Sequence, residues 1–81
     1  MIRRQAKRKL QGLSRVERYR IVEKIALLGE NPDEPGRDVK PLAGETFYRL
    51  RVGRWRVIFD RQDDLKIIAI ERIGPRGDVY K

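Results

Sequence analysis

The residues best suited to chemistry in this 81-residue chain are arginines, and their spacing is informative. In Tyr48-Arg49-Leu50-Arg51-Val52 and in Trp55-Arg56-Val57-Ile58-Phe59, basic residues alternate with apolar ones, so in extended backbone each run puts its arginines on one face. Gly53-Arg54 between the runs has the length and glycine of a two-residue hairpin turn. That turn pairs Val52 with Trp55 and sets Arg51 opposite Arg56, with Arg49 on the same face. Like charges facing each other across strands are destabilising by roughly 0.2–1 kcal/mol, so their placement without neighbouring acids points to a use other than stability. A guanidinium is planar, stays charged at any physiological pH and engages two phosphate oxygens at once. Binding an anion is the use that fits. The plainer alternative is a solvated sheet face on which arginine is tolerated for its long apolar stem; clustering and cross-strand pairing favour the ligand.

Charge agrees with that reading. Twenty Lys and Arg against twelve Asp and Glu give a net charge of +8, which attracts polyanions over about a Debye length, ~8 Å at physiological salt. Nucleic acid or an acidic protein is the expected partner. Cysteine and histidine are both absent. No disulfide, thiolate nucleophile or Cys-ligated zinc is available, and paired-imidazole acid–base chemistry is excluded. Asp60, Asp63 and Asp64 lack matching ligands elsewhere and read as a soluble turn, so no metal and no cofactor are assigned. No apolar window approaches a membrane span, and the basic N-terminus is not followed by an apolar signal core. A soluble protein of the reducing cytoplasm is expected.

The elements that must position the arginines can be placed next. Ile2, Ala6, Leu10 and Leu13 form one stripe of a short helix whose other face carries Arg3, Arg4, Lys7 and Arg8, with Gly12 ending it. Ser14 and Glu17 make a capping-box pattern ahead of a second helix from about Arg15 to Leu28, with Val16, Tyr19, Val22, Ile25 and Ala26 as its apolar stripe. Gly29 is its expected left-handed cap, and Pro32 blocks continuation. Asn31 to Thr46, with Pro32, Pro35, Gly36, Pro41 and Gly44, reads as a crossing loop that Leu42 anchors to the core. Phe47–Val52, Trp55–Asp60 and Leu65–Ile73 then form a three-stranded antiparallel meander. Gly74-Pro75 turns the tail sharply. The expected fold class is α+β: one domain over residues 1–81, an N-terminal helical hairpin packed on one face of a small antiparallel sheet. The opposite face, with Arg49, Arg51 and Arg56, is left uncovered, and Trp55 falls on the helix side as a core residue.

Lys40-Pro41-Leu42-Ala43-Gly44, Tyr48-Arg49-Leu50-Arg51-Val52-Gly53, Trp55-Arg56-Val57-Ile58-Phe59 and Ile73-Gly74-Pro75-Arg76-Gly77-Asp78-Val79-Tyr80 together resemble the RelE/ParE superfamily of type II toxins, nearest its RelE branch. The resemblance covers nearly the whole chain. It implies the RelE-like microbial RNase fold and a toxin that enters the ribosomal A site and cleaves mRNA by attack of the ribose 2′-OH, inhibiting translation. It also implies a cognate antitoxin, expected to be acidic and to lay a segment over the basic face. By the same resemblance the functional set falls on Arg49, Arg51, Arg56, Arg76 and Tyr80. Arg76 is assigned to the leaving oxygen and Tyr80 to orienting or stacking on the substrate. The chain departs from its relatives in three places. Some have lysine where Arg49 and Arg51 stand, many have histidine near Pro75, and they begin with a short strand for which no counterpart is read here. Arginine, with a pKa above about 12, is a poor general base, so no base is assigned. A ParE-like toxin that binds DNA gyrase without cutting, and a non-catalytic nucleic-acid-binding module, are the competing readings.

Overall fold

The computed structural model describes residues 1–33, 38–42, 47–62 and 67–75. Helix α1 (Arg4–Gln11) and helix α2 (Arg15–Glu30) are followed by strands β1 (Val39–Pro41), β2 (Phe47–Val52), β3 (Trp55–Gln62) and β4 (Ile67–Pro75). The strands form one antiparallel sheet in the order β1-β2-β3-β4. Gly12 ends α1, its N–H donating to the Arg8 and Lys9 carbonyls, and Ser14 caps α2 by accepting the Glu17 N–H at 3.3 Å. The capping box closes on one side only. The Glu17 carboxylate turns instead to the sheet, where it accepts from Trp55 Nε1 and from Arg54 at 3.4 Å.

One face of the sheet meets both helices. Leu50, Val52, Trp55, Val57, Phe59, Ile70 and Ile73 form a single buried cluster with Ala6 and Leu10 of α1 and Ile21 and Leu28 of α2. Each fully buried Ile, Leu, Val or Phe side chain there contributes about 1.5–3 kcal/mol of transfer free energy. Tyr48 stacks on Phe59 with ring centroids 5.6 Å apart, extending the core toward the far end of β2. Trp55 is buried, as its parity requires, with Lys9 and Arg54 lying over its ring at 5.4 and 5.3 Å. Helix α1 is fixed along β4 by Gln5, whose amide exchanges hydrogen bonds with the backbone of Ile73.

Several expectations need correction. The apolar stripe of α2 that faces the core is Ile21, Ile25 and Leu28. Val16 and Tyr19, expected inside, are 63% and 68% exposed. Gly29 is an ordinary helical residue; α2 runs to Glu30 and Asn31 is its C-cap. Val39–Pro41, read as loop, is a strand paired with Tyr48–Leu50, possible with a proline because it lies at the sheet edge. Gly74-Pro75 does not break the strand: β4 continues through Pro75, opposite Trp55. A bulge between Ile58 and Phe59 leaves Glu71 as the extra residue of β4, and its carboxylate takes Arg3 at 3.2 Å. The initial strand missing from the sequence reading is present in minimal form. Ile2 makes a parallel bridge to Ile70, with backbone bonds of 2.8 Å from Arg3 N–H to Ile70 O and from Ile70 N–H to Met1 O.

Candidate functional site

The hairpin has the register that its turn dictates. Gly53 takes a left-handed φ of 60°, a conformation in which a Cβ would be strained. Val52 pairs with Trp55, Arg51 with Arg56 and Arg49 with Ile58. The arginines therefore lie on the face away from the helices. The neighbouring strands add to them, since Lys40 pairs with Arg49 on one side and Arg72 with Ile58 on the other. Gly74, with no side chain, lies across from Arg56.

This face is not the open arginine surface expected. Arg49 is only 8% exposed and Arg56 5%. Only Arg51, of the three, is exposed. Nor are acids lacking. Asp38, the residue before β1, accepts from Arg49 Nη2 at 3.1 Å with one carboxylate oxygen and forms an ion pair with Arg51 Nε at 3.3 Å through the other. Its carbonyl also accepts the Arg51 N–H at 2.9 Å, which fixes the residue in the plane of the sheet. One anion thus spans two guanidinium groups.

The arginine donors are not all satisfied. Arg49 Nε is buried without a partner. Among the described residues Arg56 has one hydrogen bond, Nη1 to the Trp55 carbonyl at 3.4 Å, longer than the usual 2.7–3.2 Å, and pairs with no carboxylate. Burying a cation with so little compensation opposes folding by several kcal/mol. Such uncompensated groups cluster where a ligand completes them. Arg76 and Tyr80 lie outside the described residues. Sequence reasoning missed Asp38, Lys40 and Arg72. For Lys40 and Asp38 the available signal was alternation continuing back from Pro41, which pairing with β2 converts into positions beside Arg49 and Arg51.

A sheet of this order with two helices on one face and a basic cluster on the other defines the RelE-like toxin fold, and solved structures bear this out. A chain of the archaeal RelE–RelB complex from Pyrococcus horikoshii is 32% identical, with 95% of this chain and 92% of that one covered and a TM-score of 0.81. A chain of the RelB–RelE antitoxin–toxin complex from Methanococcus jannaschii is 21% identical over 99% and 94% of the two chains, with a TM-score of 0.79. The isolated E. coli RelE toxin matches at 16% identity over 98% and 86%, with a TM-score of 0.72. No curated protein matches significantly. The model of the ParE toxin of the parDE type II toxin-antitoxin system matches residues 1–80, and the chain belongs to this RelE/ParE superfamily of type II toxins.

Proposed function

We propose that this toxin is a ribosome-dependent mRNA endonuclease that halts translation. The ribose 2′-OH attacks the adjacent phosphate and the 5′-oxygen leaves, giving a 2′,3′-cyclic phosphate and a free 5′-OH; no metal takes part in the reaction as drawn. With no histidine in the chain, the rate comes from holding the nucleotide in line and neutralising charge that develops on phosphorus-bound oxygens. Arg49, Arg51 and Arg56 take that role, Arg76 the leaving oxygen and Tyr80 the orientation of the substrate. The observation that carries the reading is the bridging of Arg49 and Arg51 by a single carboxylate, with Arg56 directly across from Arg51 and paired with no carboxylate among the described residues. An acidic antitoxin that covers the same face would neutralise the charge and exclude RNA together. The toxin then acts in the cytoplasm, where the ribosomes are.

Primer extension on ribosomes translating a defined message tests the reading. Wild type gives cuts at fixed codon positions, and Arg56→Ala and Tyr80→Phe lose them. Cuts that survive both substitutions refute the assignment. The match to the ParE model favours one competing reading, a gyrase-directed toxin; inhibition of gyrase supercoiling by a protein that leaves mRNA intact would establish it.

A further inference from the structure

Asp38 sits where a substrate phosphate belongs. Its two carboxylate oxygens span Arg49 Nη2 and Arg51 Nε, much as the two non-bridging oxygens of a phosphodiester would, and both groups carry one negative charge. The match is incomplete in two respects. Among the described residues Arg49 Nε stays without a partner, and Arg56 pairs with no carboxylate. The Asp38 side chain is 45% exposed and that of Arg51 46%, so the carboxylate can swing away by side-chain rotation while its carbonyl remains bonded to the Arg51 N–H.

We propose that Asp38 is a specificity-determining residue, an internal anion that occupies the Arg49–Arg51 pair in the free toxin and is displaced by substrate. The inference rests on the nuclease reading and deepens it. A phosphodiester in the ground state offers the pair no more charge than Asp38 does, and it must compete with a group already held in place. Free RNA therefore binds weakly. The phosphorane-like transition state carries an additional negative charge and more acceptor oxygens, so it displaces the carboxylate and engages Arg56 and the spare donor of Arg49. Interactions stronger in the transition state than in the ground state raise the rate rather than the affinity. An RNA that the ribosome holds in place avoids the penalty of weak encounter, whereas RNA in solution does not.

The test is binding of a single-stranded 2′-deoxy oligonucleotide, which lacks the attacking hydroxyl, to the full chain. Removing one competing charge adds about one effective phosphate contact. For single strands this steepens the dependence of log K on log salt by roughly 0.7, and it tightens binding about five-fold at 0.1 M salt. Asp38→Asn is expected to show both changes, and Asp38→Glu, which keeps a carboxylate, to bind as wild type does. Unchanged or weaker binding by a folded Asp38→Asn overturns the proposal, since a merely structural Asp38 gives that result. If Asp38→Asn does not fold, the Arg51 Nε–H resonance of wild type decides: it shifts on titration with the same oligonucleotide if Asp38 is displaced, and a resonance unmoved at saturation overturns the idea. Tighter binding by Asp38→Asn without mRNA cleavage by wild type sinks the nuclease reading and leaves the displaced carboxylate standing.

Discussion

Replacing Arg56 by methionine should make the protein more stable and less active. Arg56 is 5% exposed, has a single hydrogen bond, of 3.4 Å, among the described residues and faces Arg51 across the ladder. Methionine keeps an unbranched stem and removes the charge. The cross-strand repulsion relieved is roughly 0.2–1 kcal/mol. Replacing buried ionic groups by apolar residues of similar volume is neutral to stabilising by about 1–4 kcal/mol, so a gain of ~2 kcal/mol is expected. For a chain of 81 residues, where each kcal/mol moves the melting midpoint by about 4–8 °C, that gain raises Tm by roughly 8–16 °C. Calorimetry and urea denaturation measure it directly. On the proposed function, ribosome-dependent cleavage should fall by about 10²–10³-fold, the usual effect of losing one donor to a developing oxyanion. Arg51→Met, at an exposed position, should change stability by no more than about 0.5 kcal/mol. An Arg56→Met protein that melts at or below the wild-type temperature would show that the buried charge is well compensated, and the argument that function holds it there would fail.

Two glycines should respond in opposite directions to alanine. Gly29 lies inside α2 with open space around an added Cβ, so Gly29→Ala should stabilise by about 0.8–1 kcal/mol, whereas Gly53→Ala, at φ 60°, should destabilise by about 1–2 kcal/mol; paired urea titrations compare them. Ser14→Ala removes the α2 cap and should lower stability by about 0.5–2 kcal/mol, visible in the same titrations. Arg61 holds the Asp33 carboxyl below its usual range, chiefly through a side-chain hydrogen bond, with burial opposing and charge attraction assisting. A lowered folded-state pKa stabilises above the unfolded value of about 3.9. The difference in Tm between wild type and Asp33→Asn should therefore be full at neutral pH, shrink as acid takes the solution below that value and disappear only below the lowered folded-state pKa; a difference that does not shrink with acid counts against the pairing.

Local rules made the hairpin legible. Gly53-Arg54 permits one short turn, and strand alternation then fixes every partner from Val52–Trp55 outward. Helix α2 was harder because its apolar residues lie on most of its circumference. Val16, Tyr19 and Val22 form as plausible a stripe as Ile21, Ile25 and Leu28, and only packing against the sheet selects the second. Strand β1 was hidden by the prolines around it, which exclude a central strand but not an edge. Asp38 was lost with it. Its partnership with Arg49 spans 11 residues and exists only once β1 has docked, so the alternation before Pro41 places it beside Arg49 only when that pairing is known.

The pairing of Ile2 with Ile70 fixes when the molecule can become whole. At about 5–20 residues per second, the intervening stretch takes roughly 3–14 s to synthesise. Throughout that interval Ala6 and Leu10, which end up against β4, have no strand to cover them. The helical hairpin must wait for β4, and the sheet that carries the arginine face cannot be locked against it before Ile70 has been synthesised.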